Sequence, residues 1–205
     1  MDSRSGKNAD NSEDKTLQLV SNETVVEKEE TPTYKAKFVT TKGEFIIEVH
    51  PDWSPRGAAR FRELVESGFY NDCALFRVVN NFMAQFGISN NPEANRKWRD
   101  KPIKDDPVQK SNTRGRVTFA KTGLPDSRTT QIFINYEDNS RLNSMGFAPF
   151  AEVVSGMDVV DSFYSAYGER TTQLQGQIAE QGNAFLKEKF PELDYIETVE
   201  IIDAQ

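Results

Sequence analysis

The chain has 205 residues but only one cysteine, Cys73, and one histidine, His50. A single thiol forms no intrachain disulfide and supplies no thiolate metal cluster, and a single imidazole excludes a His-rich metal site. A nucleophilic pair of Cys73 with His50 would use both, yet nothing around either residue matches a nucleophile motif. No apolar run approaches the roughly 20 residues that a membrane span needs. Met1 is followed by polar residues instead of the apolar centre of a signal peptide. Positive charge is also short: 25 Lys and Arg against 32 Asp and Glu leave a formal net charge of −7. Nucleic acid is therefore disfavoured as the main partner, because phosphate contacts need clustered cations. The expectation is a cytoplasmic protein without a membrane span.

Residues 1–33 hold eight acidic and four basic residues and little that is apolar. Such a stretch cannot bury enough surface to offset its ordering entropy, so it is expected to be an acidic, mostly disordered leader. From residue 34 to 205 the pattern is that of one domain. Tyr34 to Thr41 and Glu44 to Val49 form a hairpin around Lys42–Gly43. Ser54–Pro55 marks the N-terminus of a helix that carries Ala58, Phe61, Leu64 and Val65 and closes at Gly68. Leu75 to Val79 and Phe82 to Gly87 are strands around Asn80–Asn81, and Ile88 to Arg114 is a long polar loop. Short strands follow at Gly115 to Ala120, Gln131 to Asn135 and Phe150 to Val154. A second helix covers Thr172 to Lys189, and Ile196 to Ile202 is a last strand. His50 falls in a surface turn. Many short strands with two main helices suggest a closed or nearly closed antiparallel barrel.

One stretch is more specific than pattern. Phe76-Arg77-Val78-Val79-Asn80-Asn81-Phe82-Met83-Ala84-Gln85-Phe86-Gly87, with Thr130-Gln131-Ile132-Phe133-Ile134 and the segment from Gly146 to Val160, resembles the cyclophilin family. The resemblance runs from Lys37 to about Ser165, with three motifs in the family's order. It implies a mainly β fold, an eight-stranded antiparallel closed barrel capped by two α-helices. It also implies peptidyl-prolyl cis-trans isomerase activity on proline-containing segments, assisting folding, with no cofactor. Arg77 falls on the family's catalytic arginine. Phe82, Met83, Phe133 and Leu142 fall on its proline pocket, and Gln85, Ala120 and Gln131 line its substrate groove. Phe147 falls where many members place a histidine beside the pocket. By pattern alone, Arg77 would be a solvated strand residue and Phe82 and Phe133 barrel core; the resemblance moves them to an outer pocket.

The departures from the family pattern carry expectations of their own. Phe76 replaces a common histidine at a supporting position, and Asn80–Asn81 replaces a Pro-Gly turn. Phe86 replaces the first of two glycines, which would tighten the groove floor. Arg141 stands where members that bind the immunosuppressant cyclosporin tightly carry tryptophan, so weak cyclosporin binding is expected. A proline-segment binding module with little turnover is the alternative, supported by the altered rim at Arg141 and Phe147.

Overall fold

The computed structural model describes residues 32–202. The expected leader falls on residues 1–31 apart from its last two positions, so it lies outside the described residues. Among the described residues nine strands form one antiparallel sheet: β1 (Tyr34–Thr40), β2 (Gly43–Val49), β3 (Cys73–Ala74), β4 (Arg77–Val79), β5 (Met83–Phe86), β6 (Arg116–Phe119), β7 (Ile132–Asn135), β8 (Pro149–Ser155) and β9 (Tyr195–Ile202). Their order is β3-β9-β1-β2-β8-β6-β7-β5-β4. The two end strands, β3 and β4, are successive in the chain, with only Leu75 and Phe76 between them. The sheet must therefore curl back on itself. The covalent chain joins its two ends at that point, and no ladder does.

This explains nine strands where eight were expected. Of the expected strand Leu75 to Val79 only Arg77 to Val79 form a strand, paired with β5, and the residues just before it, Cys73 and Ala74, add a separate short strand paired with β9. At the break the Leu75 amide donates to the Asp194 carbonyl, and the Thr171 hydroxyl donates to the Phe76 carbonyl.

The interior of the curl holds Phe38, Phe45, Ile47, Val78, Ala84, Phe86, Val117, Phe119, Ile132, Ile134 and Phe150, all buried. The helix α1 (Pro55–Glu66) covers it, with Phe61 packed on Phe38 and Phe150. Ser54 is the N-cap residue, as its position predicts, but its side chain caps nothing. Its hydroxyl donates instead to Asp106 (2.6 Å), and the Asp106 carboxylate accepts the Gly57 amide at 3.0 Å. Arg128, 1% exposed, donates to the same carboxylate at 3.0 Å. Burial pushes the Asp106 carboxyl up, but the hydrogen bonds from Ser54, Gly57 and Arg128 outweigh it and hold the group below its usual range.

Two helical expectations need correction. The loop expected from Ile88 to Arg114 contains α2 (Pro92–Arg99), capped by the Asn91 side chain, which accepts the Glu93 amide at 2.9 Å. Trp98 is its only buried residue, so no apolar stripe announces it. The helix expected over Thr172 to Lys189 is three pieces: a 3₁₀ turn (Gly168–Leu174), α4 (Gln175–Gln181) and α5 (Asn183–Lys189); α3 (Met157–Asp161) precedes them. The break falls at Gly182, with φ 62° and ψ −153°, a region that glycine alone occupies readily. A Cβ there would collide with the Asn90 carbonyl oxygen. Ile178 of α4 and Leu186 of α5 bury themselves with Phe76, Ile88 and Phe190 in a second cluster outside the sheet. The capping layer on that side is thus built of short pieces and not of one second helix.

Candidate active site

Alternation along β4, β5 and β7 builds the site. Val78, Ala84, Phe86, Ile132 and Ile134 point into the core, which turns Arg77, Val79, Met83, Gln85 and Phe133 to the opposite face. Register then brings them abreast, with Arg77 opposite Gln85 and Gln85 opposite Phe133. Phe133 is in turn opposite Thr118 of β6. One row of side chains therefore runs across the outer surface from a cation, through an amide, to an aromatic ring.

Around that row Met83, Phe133 and Leu142 form a small apolar cluster apart from the main core, flanked by Val79, Phe82, Ala120 and Phe147. Phe147 meets Phe133 edge to face, with ring centroids 5.9 Å apart. These groups enclose a cavity of about 200 Å³ lined by Arg77, Phe82, Met83, Gln85, Ala120 and Phe133, with Leu142, Phe147, Lys121 and Gln175 completing the wall. All the expected site residues but Gln131 border it directly. Gln131 stands beside it, its carbonyl accepting the Ala120 amide.

The polar wall is a directed chain. Arg77 Nη1 donates to Gln85 Oε1 (2.8 Å), Gln85 Nε2 to Gln131 Oε1 (2.8 Å) and Gln131 Nε2 to Gln175 Oε1 (2.9 Å). Each amide is oriented by its neighbours, so Gln85 presents a fixed face to the hollow. The opposite rim is the 3₁₀ turn Ser140–Met145, which carries Leu142. Asn139 ties that turn to the start of β5 and the end of β7 by donating to the Phe82 carbonyl and to the Asn135 side-chain oxygen. Asn112 donates to the Phe147 carbonyl and accepts the Thr118 hydroxyl. Arg141 is exposed on the rim, its guanidinium 4.7 Å from the Phe82 ring centroid; that of Arg77 lies 5.7 Å from the same ring.

Pattern reasoning missed Lys121 and Gln175 on the wall, the asparagines behind it, and Glu169, whose carboxylate meets Arg77. Asn112 and Asn139 are fully buried polar residues, and nothing in their sequence surroundings signals it. One expectation about the groove is corrected. Phe86 does not tighten the floor, because its ring points inward against Phe38 and Tyr70.

The two scarce residues lie elsewhere. Cys73 is fully buried, and burial raises its thiol well above the usual range, so it supplies no thiolate. His50 is more enclosed than a surface turn residue. It stacks on Trp53 with centroids 3.7 Å apart, and its Nε2 lies 3.4 Å from a carboxylate oxygen of both Glu48 and Glu152. Among the described residues this trio is the one grouping with the donor types of a metal centre, and none of its members borders the cavity. Lys35 and Arg116 lie against its two carboxylates.

Comparison with known proteins agrees with the fold and the motifs. Residues 35–181 match the family model described as cyclophilin type peptidyl-prolyl cis-trans isomerase/CLD. The chain is 39% identical over 132 residues to peptidyl-prolyl cis-trans isomerase B of Escherichia coli, covering 60% of this chain and 80% of that protein. It is 40% identical over 129 residues to a peptidyl-prolyl cis-trans isomerase of Acinetobacter baylyi, covering 60% and 67%. Among solved structures it is similar in fold to a cyclophilin type peptidyl-prolyl cis-trans isomerase of Cryptosporidium parvum, crystallised in the presence of the dipeptide Ala-Pro. The TM-score is 0.62 at 18% identity, covering 83% of this chain and 99% of that one.

Proposed function

Since the chain belongs to the cyclophilin-type peptidyl-prolyl cis-trans isomerases, we propose that it turns X-Pro bonds in the cavity beside Arg77, with that guanidinium as its catalytic group. The observation that carries this is the cross-strand row, in which a charged donor, an orienting amide and an aromatic wall face one ring-sized hollow.

The chemistry asks for little else. Amide resonance sets a barrier of about 18–20 kcal/mol, which at the upper figure corresponds to a rate on the order of 0.01 per second. An acceleration of about a hundred-thousand-fold needs about 7 kcal/mol of binding that favours the twisted state over the planar one. Twisting removes conjugation from the prolyl nitrogen and makes it a better acceptor. A guanidinium held beside it favours that state, and it stays charged at any working pH. Phe82, Met83, Phe133 and Leu142 grip the pyrrolidine ring, and Phe147 closes one side. Gln85, Gln131 and Ala120 form the groove along which the substrate backbone lies. No nucleophile, metal or proton transfer enters the step.

The partners in this reading are proline-containing segments of other proteins. Among the described residues no helix is long and apolar enough to cross a membrane, and the net charge of −7 disfavours nucleic acid. A cytoplasmic location belongs to the same proposal, as does weak binding of cyclosporin, since Arg141 puts a cation on the rim over Phe82. Titration of ¹⁵N-labelled protein with an Ala-Pro peptide tests the placement. Shifts should gather on residues 77–85, 120, 131–133 and 142–147; shifts gathered on another face would show that substrate binds elsewhere.

A further inference from the structure

Glu169 belongs to no strand of the site, yet it makes the most geometrically complete contact in it. Its two carboxylate oxygens accept Nε and Nη2 of Arg77 at 2.8 and 2.7 Å, a side-on bidentate pair. The carboxylate is itself fixed, because the Thr172 hydroxyl donates to Oε2 at 2.8 Å. The turn that carries it is fastened on both sides of the site. The buried Thr171 hydroxyl donates to the carbonyl of Phe76, the residue before Arg77, and Gln175 accepts from Gln131 across the cavity wall. The Arg77 hydrogen bond holds the Glu169 carboxyl below its usual range, so it is ionised at neutral pH.

A guanidinium has five N–H groups. Glu169 takes two and Gln85 a third. Two are left for a substrate. The glutamate therefore does not saturate the arginine; it decides which way the unused donors point. Arginine is long and rotamer-rich, and a planar fork held beforehand does not have to be ordered again at each encounter. The Glu169 side chain is 56% exposed and that of Arg77 20%. Solvent-exposed ion pairs contribute little to folding, so this one acts on the orientation of Arg77 far more than on the stability of the domain.

We propose that Glu169 is a positioning residue of the isomerase, its carboxylate locking one edge of the Arg77 guanidinium so that the remaining N–H groups face the bound imide. The proposal rests on Arg77 being the catalytic group, and the experiment separates the two. Glu169→Ala, Glu169→Gln and Arg77→Ala are compared with the unaltered chain by exchange NMR on an Ala-Pro peptide, with kcat and KM resolved. Glu169→Ala lowers kcat by about three- to ten-fold while KM stays within about two-fold. Glu169→Gln, whose amide oxygen can accept one of the two N–H groups, falls between. The Arg77 Nε–H signal in the ¹⁵N spectrum should be exchange-protected in the unaltered chain, where Glu169 accepts it, and should broaden in both variants. Glu169→Gln keeps the side chain's size and carries the test if the alanine variant folds poorly. If kcat is unchanged or raised in the glutamate variants while Arg77→Ala is slowed about tenfold or more, the positioning role is overturned and the site assignment stands; an increase would mean that the carboxylate obstructs the groove. If Arg77→Ala loses less than threefold in rate, the site assignment itself fails.

Discussion

Removing the guanidinium by Arg77→Ala is the sharpest perturbation of the site. The side chain stands on the outer face of β4, and the interior position of that strand belongs to the buried Val78. The change therefore opens no cavity in the core. It leaves the half-exposed Glu169 carboxylate in water and frees Gln85 Oε1 from one donor. Folding stability should fall by no more than about 1 kcal/mol, the usual worth of an exposed pair. Catalysis should suffer more. A hydrogen bond from a charged donor has a net worth of about 1.5–3 kcal/mol, and 1.36 kcal/mol is a factor of ten in rate, so kcat/KM should fall roughly ten- to two-hundred-fold. The hollow is partly enclosed, with Phe82, Met83, Phe133 and Leu142 forming its apolar side, which places the expected loss near the upper end, at about two orders of magnitude. Arg77→Lys keeps the charge but loses the fork and should recover only part of the rate. Exchange NMR on an Ala-Pro peptide measures the rates, and urea unfolding monitors the fold. A drop of less than threefold in a folded Arg77→Ala variant would refute the assigned role.

Other residues give independent checks. Asp106→Asn takes from the buried Arg128 the closer of its two carboxylates and leaves it Asp105 at 3.4 Å, and should cost about 1.5–3 kcal/mol in urea unfolding; a loss below 1 kcal/mol would show the Asp106 pair to be dispensable. Because the folded Asp106 carboxyl titrates below its unfolded value, its contribution is present above about pH 4 and is lost as pH falls through the folded value. The Asn variant should accordingly show a shallower loss of stability with acid, and an unchanged acid slope would count against this. Gly182→Ala should destabilise by about 2 kcal/mol or more, since alanine must leave the backbone region found there or displace Asn90; an unaltered melting temperature would contradict the strain argument. Arg141→Trp replaces the rim cation over Phe82 with an apolar plate and should tighten cyclosporin binding by about tenfold or more. Equal affinity in a fluorescence titration would remove Arg141 as the cause of weak binding.

The parity of the site residues was legible in the chain. Arg77 and Val79, Met83 and Gln85, and Phe133 sit at alternate strand positions, so each set had to share a face once the strands paired. Two of the three cyclophilin motifs could be read for the same reason: they lie within single strands and the tight turn at Asn80–Asn81, where neighbours in sequence are neighbours in space. Phe82, with the parity of the inward Ala84 and Phe86, reaches the hollow only because it stands in the turn before β5; alternation alone does not say which face is interior, which is why Phe133 also read as core on pattern. That choice was made by the curl of the sheet, which turned Val78, Ala84 and Ile134 inward and left the other parity facing the hollow. The helix α2 escaped notice because a helix that buries one tryptophan has no apolar period. The break at Gly182 escaped because a close approach to Asn90, and not a local signal, requires it. Glu169 is the clearest case. Its place against Arg77 depends on a turn anchored through Thr171 and Gln175 to strands far away in the chain. Local residue order determines strand, face and motif because backbone period acts over a few residues. Which distant carboxylate meets which guanidinium is decided only when the packed sheet brings their backbones together.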